Sequence, residues 1–269
     1  MIKFIATDID GTLANDKREI HKSVFSTIEY LRSKNIKFCA SSGRQYLSLK
    51  NTFEGYTDDM VFIAENGAYV VHNGQEIYSN SLEKELWQKI VQSIINDGFG
   101  KPILCCKNYV YVEEKGNDDI IKILGDENFN YKMKFIDSLL NVDDDILKIS
   151  VNYNGFDTNE ASKALNEKFG SVVDIAGSGF GWIDITNKGV SKGTAIKKVF
   201  EKFGIVRNEA LAFGDNFNDI EMFKEVHYSY AMKNASDGVK KFANYVTDYD
   251  NNECGVVKTI ESFIEKGVI

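Results

Sequence analysis

The feature that most constrains this chain is a change of rhythm along it. From the N-terminus to residue 64, short apolar runs rich in β-branched residues alternate with amphipathic stretches. Ile2–Thr7, Ile36–Ala40 and Met60–Ala64 read as strands, and Val24–Leu31 and Gln45–Phe53 as helices. Strands apolar at nearly every position are buried on both faces, which calls for a parallel sheet with helices on either side. Asn73-Gly74, between Ala68–His72 and Gln75–Tyr78, is a hairpin signal. From about Ser81 to Thr186 the pattern turns to longer, alternating strands at Ile103–Val112, Ile146–Tyr153, Val172–Ala176 and Gly181–Ile185. Helical stretches at Leu82–Ile95 and Asn159–Phe169 lie between them, a mixture that suits an antiparallel α+β unit. The first rhythm then resumes with a helix at Lys192–Phe203, a strand at Ala210–Phe213 and a helix at Phe217–Phe223. Short strands at Tyr228–Ala231 and Tyr245–Thr247 and a helix at Gly255–Glu265 close the chain. The prediction is an α/β fold: a Rossmann-like parallel-sheet core from residues 1–80 and 187–269, split by an inserted α+β cap domain at 81–186.

Composition removes several classes of function. A formal charge of −8 on 269 residues gives no basic footprint for nucleic acid. No stretch approaches the roughly 18 apolar residues of a membrane span. Asp8 interrupts the first apolar run too early for a signal peptide, so a cytoplasmic protein is expected. The 4 cysteines have no CxxC spacing, and His21, His72 and His227 are scattered. Neither a zinc nor a redox motif can be written from them.

Chemistry gathers instead at strand ends. The first strand runs into Asp8-Ile9-Asp10-Gly11-Thr12, where two carboxylates two residues apart share one side of an extended chain. The carboxyl end of a parallel strand is where open α/β sheets bind ligands. Close carboxylates repel unless a cation or a shared proton intervenes, so the pair implies a metal or an acid/base division. The second strand ends in Ser41-Ser42-Gly43-Arg44, hydroxyls and backbone N–H groups before a helix, which suits an anion. Lys192 opens a helix, where its charge opposes the macrodipole; meeting an anion would explain it. The strand at Ala210–Phe213 ends in Gly214-Asp215-Asn216-Phe217-Asn218-Asp219, a further acidic loop in the equivalent place. Taken singly, these segments read as ordinary turns or helix caps, Asp219 included.

Taken together and in this order, the four segments resemble the motifs of the haloacid dehalogenase superfamily: D-x-D-G-T-L, S/T-G-R, K-G and G-D-x-x-N-D. The large insert after the third strand, preceded by Glu65-Asn66-Gly67-Ala68, is similar to the Cof-type branch with a type IIB cap. Ser42 stands where many relatives carry threonine, and either supplies a hydroxyl. The resemblance implies an Mg²⁺-dependent phosphatase of small phosphorylated, sugar phosphate-like metabolites. It implies Asp8 as nucleophile, Asp10 as general acid and base, and Lys192 as the catalytic cation. Ser42, Gly43, Arg44 and Asn218 would bind phosphate; Asp8, the Asp10 carbonyl and Asp215 would hold the metal, with Asp219 as a ligand or a group orienting water. The alternatives are a sugar phosphomutase on the same fold and a non-enzymatic phosphate-binding regulatory module. Neither the substrate nor the oligomeric state is legible in the sequence.

Overall fold

The computed structural model describes residues 1–126, 131–153, 155–179 and 181–269. In chain order its elements begin with β1 (Phe4–Thr7), α1 (Lys22–Ser33), β2 (Lys37–Ser41), α2 (Tyr46–Thr52), β3 (Val61–Ala64), β4 (Tyr69–His72) and β5 (Gln75–Ser79). They continue with α3 (Lys84–Asp97), β6 (Lys101–Cys105), β7 (Val110–Glu113), α4 (Asp118–Leu124), β8 (Met133–Ile136), β9 (Lys148–Asn152), α5 (Thr158–Phe169), β10 (Val173–Gly179) and β11 (Trp182–Asn187). The last are α6 (Lys192–Phe203), β12 (Ala210–Gly214), α7 (Ile220–Glu225), β13 (Tyr228–Ala231), α8 (Asp237–Lys240), β14 (Tyr245–Val246) and α9 (Gly255–Glu265). Among the described residues no helix is long and apolar enough to cross a membrane.

The chain forms two compact units. The first holds Met1–Ser42, Leu49–Tyr78 and Ser191–Ile269; the second holds Gly43–Ser48 and Ser79–Val190. The sheet of the first unit runs β14-β13-β12-β1-β2-β3-β4-β5. Its strands from β14 to β3 are parallel, while β4 pairs antiparallel with β3. Both faces are covered, as the uniformly apolar strands require: β1, β3 and β12 are buried at every residue. On one face Phe4, Ala6, Cys39 and Ile63 pack with Ala195, Ile196 and Val199 of α6 and with Met222 and Phe223 of α7. Full burial of side chains of this size contributes about 1.5–3 kcal/mol each, which makes α6 a fixed base for whatever stands at its N-terminus. The expected α/β class, a Rossmann-like parallel sheet interrupted by an α+β insert, is the architecture found.

The second unit has the sheet order β10-β11-β9-β6-β7-β8, antiparallel except where β7 meets β8. Period-two alternation divides β9 and β11 between two faces. Ile149, Val151, Ile183 and Ile185 join Trp87, Ile90 and Ile94 of α3 and Leu165 of α5 in an apolar cluster. Lys148, Ser150, Asn152, Asp184 and Thr186 lie on the other face and are also buried. Ile103–Val112, expected as one strand, is two. A turn after Cys105 reverses the chain, and the Cys106 N–H donates to the Tyr109 carbonyl at 2.9 Å. The apolar run across Cys105-Cys106 masked that turn.

Candidate active site

Three neighbouring strands deliver the site. Thr7 of β1 registers with Ala40 of β2 and with Phe213 of β12, so Asp8, Ser42 and Asp215 follow the carboxyl ends of adjacent parallel strands. The Asp8 N–H donates to the Phe213 carbonyl at 2.9 Å and thus continues the ladder one residue beyond the strand. Beyond it the chain turns sharply: the N–H groups of Thr12, Leu13 and Ala14 all reach the Ile9 carbonyl, at 3.3, 3.0 and 2.9 Å. Gly11 makes that turn with φ +77°, and a Cβ there would lie 2.5 Å from Asp215 Oδ2. No other residue type fits both the backbone conformation and the space.

Lys192 occupies the first position of α6, and Ser191 caps that helix. The Ser191 Oγ accepts from the Thr194 N–H at 3.0 Å, and the Thr194 Oγ1 accepts from the Ser191 N–H at 2.9 Å. The Lys192 side chain is buried, with Nζ 2.8 Å from Asp8 Oδ1 and 2.6 Å from Asp219 Oδ1. These are the anions that its position at the helix start had called for. Asp219 does not cap α7. Its Oδ2 instead accepts from the backbone N–H groups of Asp215 and Asn216, at 2.9 and 3.0 Å, which folds the Gly214–Asp219 loop back on itself. The helix expected at Phe217–Phe223 accordingly opens as a 3₁₀ turn over Phe217–Asp219, and α7 proper begins at Ile220. Asp215 is fixed separately, its Oδ1 accepting from Thr12 Oγ1 at 2.7 Å.

One oxygen each of Asp8, Asp215 and Asp219 lies within 4.8 Å of the others, a hard-oxygen cluster that can hold a metal ion. Burial pushes Asp8 well above the ordinary carboxylate range, against the pull of the Lys192 ammonium, and the Asp219 and Asp215 charges push it further. Burial likewise raises Asp215 to about 6, although the Thr12 hydrogen bond opposes it. Burial alone would lower Lys192, but the carboxylates of Asp219 and Asp8 outweigh it and hold the amine firmly protonated.

Ser42 is buried, its N–H on the Ile63 carbonyl at 2.9 Å and its own carbonyl taking the Asn66 N–H at 3.1 Å. Asp10 is exposed. The Asn218 side chain donates to Asn66 Oδ1 at 3.1 Å. Gly43 and Arg44 fall in the segment that groups with the second unit, where the Gly43 carbonyl accepts from Lys148 Nζ at 2.8 Å and Arg44 is buried. The helix that follows them starts only at Tyr46, so Ser42-Gly43-Arg44 is a loop rather than a helix N-terminus. Sequence reasoning gave no role to Thr12, which anchors Asp215, or to Asn66, which meets Asn218. It gave Gly67, within the Glu65–Ala68 segment, no role of its own either. With φ +105°, a Cβ there would lie 2.1 Å from the Ser191 carbonyl oxygen, so this glycine lets the chain press against the start of α6. The only hint in the sequence was the Asn-Gly pair after the third strand.

A family profile described as haloacid dehalogenase-like hydrolase matches residues 5–260. An Escherichia coli (strain K12) protein named 5-amino-6-(5-phospho-D-ribitylamino)uracil phosphatase YbjI is 30% identical over 265 residues, covering 98% of this chain and 97% of its own. A phosphoglycolate phosphatase of Archaeoglobus fulgidus is 29% identical over 261 residues, covering 96% of each chain. The crystal structure of SMU.1108c from Streptococcus mutans UA159 superposes with a TM-score of 0.89 at 29% identity, covering 98% of this chain and 100% of that one.

Proposed function

The chain belongs to the haloacid dehalogenase-like hydrolases, and from that premise we propose that it is a cytoplasmic, Mg²⁺-dependent phosphatase of small phosphorylated metabolites working through an aspartyl-phosphate on Asp8. The observation that carries the reading is the excess of carboxylate around one buried ammonium: Asp8, Asp215 and Asp219 against Lys192. Such a surplus is costly unless a cation joins it. The donors are all hard oxygens, without His or Cys, which fits Mg²⁺ rather than zinc. Both Asp219 oxygens are already engaged, by Lys192 and by the loop N–H groups. This favours Asp219 as the group that orients Lys192 and the loop, leaving Asp8, the Asp10 carbonyl and Asp215 to hold the ion. When bound, Mg²⁺ would neutralise charge on the phosphoryl oxygens and the nucleophile.

The residues of the chain then divide the work. Asp8, with one oxygen tied to Lys192, offers the other to phosphorus; an O–P bond forms as the ester O–P bond breaks, so one hard displacement becomes two. Asp10, as general acid, gives a proton to the departing alcohol oxygen and then, as general base, takes one from the water that opens the aspartyl-phosphate. Lys192 and the Ser42 hydroxyl, followed in the chain by Gly43 and Arg44, hold the phosphoryl oxygens where negative charge develops. Asn218 assists at the phosphate from its anchor on Asn66. The relatives are named for 5-amino-6-(5-phospho-D-ribitylamino)uracil and for phosphoglycolate, both small phosphate monoesters, which supports that substrate class. Phosphate release should be followed across a broad panel of phosphorylated metabolites, in Mg²⁺ and in EDTA. Release in Mg²⁺ alone is expected. Equal release in EDTA would remove the metal from the reading, and a rearranged sugar phosphate in place of phosphate would indicate a mutase.

A further inference from the structure

The loop that carries Asp10 is held from outside by a set of asparagine side chains that the chemistry above does not use. The Gly11 carbonyl accepts from Asn234 Nδ2 at 2.8 Å, and Asn234 Oδ1 accepts from the Asn251 N–H at 3.2 Å. Asn251 Nδ2 donates to the Ala14 carbonyl at 3.1 Å and to Asp16 Oδ1 at 3.0 Å. Asn252 completes the clasp reciprocally: its Nδ2 reaches Asp16 Oδ2 at 3.1 Å and its Oδ1 takes the Asp16 N–H at 3.1 Å. The amide orientations of Asn234 and Asn252 follow from their partners, because in each the oxygen faces a backbone N–H and the nitrogen faces an acceptor. Two carbonyls of the 11–14 turn are therefore pinned, one on each side, by the segments after β13 and β14.

We propose that Asn234 and Asn251 are positioning residues for Asp10, through the Gly11 and Ala14 carbonyls that they hold. The inference rests on the role proposed for Asp10 above. Asp10 is exposed, and the backbone that carries it sets where its carboxyl starts from. That backbone is the reversal at Gly11, where the N–H groups of Thr12, Leu13 and Ala14 reach the Ile9 carbonyl and Asp10 bridges to Ala14. Those contacts fix the turn's curvature from within, and the asparagines hold the Gly11 and Ala14 carbonyls from the segments packed against it. A general acid works only within hydrogen-bond reach of the departing oxygen, and a displacement of about 1 Å is enough to cost ~10²-fold. Asn234 is itself exposed. Exposed substitutions usually leave stability nearly unchanged, which makes a large kinetic effect at this position informative.

The test compares Asn234→Ala and Asn251→Ala with the unmodified chain on two substrates in saturating Mg²⁺. An alkyl phosphate has a leaving alcohol that needs a proton; p-nitrophenyl phosphate has one that scarcely does. Because kcat/KM stops at the first irreversible step, it isolates leaving-group departure from the later hydrolysis. The expected result is a fall of ~30-fold or more in kcat/KM for the alkyl phosphate and of no more than ~3-fold for the aryl phosphate, with Tm little changed for Asn234→Ala. Asp10→Asn should show the same pattern more strongly. Equal losses on both substrates, or no loss on the alkyl phosphate, would overturn the positioning role while leaving the phosphatase reading intact. An unmodified chain that releases phosphate from neither compound would bring down the phosphatase reading, and this inference with it.

Discussion

Lys192 and Lys148 are both buried, one in each unit, and their charges are met in opposite ways. Lys148 on β9 lies 3.4 Å from the carboxylate of Asp184 on β11, whose other oxygen accepts from Ser150 Oγ at 2.6 Å. Asp184 faces Ser150 directly in the register and Lys148 diagonally, so the set ties two strands together. Lys192 meets two carboxylates, with a third in the same cluster. A buried ion pair across two strands can serve to fix their register. A surplus of carboxylate stores electrostatic cost that an added cation would relieve, in keeping with the function proposed for that cluster.

The sharpest way to break this contrast is through turnover. Asp8→Asn should lower phosphate release by ~10³-fold or more, because the nucleophile proposed here would act as a unit with its donors. Assay of the purified, folded variant decides it, and retention of a tenth of the original activity would remove Asp8 from its role. No single substitution at Lys148 or Asp184 is expected to match that loss.

Stability separates the two lysines next. Removing one partner of a buried pair costs about 3–5 kcal/mol, whereas replacing both with apolar residues is often nearly neutral. Urea unfolding of Lys148→Met should show a loss of that order, and Lys148→Met/Asp184→Leu should recover most of it. At Lys192 the remedy differs, since Lys192→Met leaves three carboxylates facing one another. There Mg²⁺ should recover part of the lost stability. If Mg²⁺ rescued Lys148→Met equally well, the distinction between the two sites would collapse.

A smaller effect is expected from the metal alone. Ligand at a hundred times its Kd stabilises a folded chain by about 2.7 kcal/mol, so Mg²⁺ should raise Tm, and Asp215→Asn should abolish the rise. A rise that survives Asp215→Asn would place the ion elsewhere.

What could be read before the structure, and what could not, follows the same division. The places of Asp8, Ser42, Lys192 and Asp215 were legible because each lies at a strand end or helix start that the local pattern marks. Their partners were not. Thr12 meets Asp215 across 203 residues, and Lys192 meets Asp219 across 27, distances over which a single sequence carries no pairing signal. Asp219 was read as a possible helix cap because acids favour that position, but tertiary demand turned its carboxylate onto the loop and onto Lys192. In the second unit α4, only 7 residues long, and β8, with two exposed residues, gave too short or too polar a pattern to register. The buried polar face of Lys148, Ser150 and Asp184 was invisible for a related reason. Alternation marks one face as polar but does not say that it is covered.

The smallest expected effect is a pH slope, and its sign differs between the two regions. Asp8 and Asp215 have pKa values raised by burial, Asp215 to about 6 from an ordinary 3.8. Between those values the folded chain binds more protons than the unfolded chain, so without metal this site's contribution to stability falls as pH rises from about 4 to 6. In the second unit, the hydrogen bond from Lys101 holds Asp119 below the usual range, and that from Lys84 does the same for Asp143. Their small contribution runs the other way, present above the unfolded pKa and lost only as pH falls. Mg²⁺ should hold Asp8 and Asp215 ionised, which lowers their folded-state pKa values and removes the unfavourable slope. Tm measured from pH 5 to 7 should therefore decline in EDTA and stay level or rise in Mg²⁺, with Asp215→Asn flattening the EDTA profile. Amide exchange read region by region would assign the decline to the strands around β1 and β12 rather than to β9 and β11. A decline that persists in saturating Mg²⁺, or that appears equally in both units, would mean that the carboxylate surplus at Lys192 is not what the metal relieves.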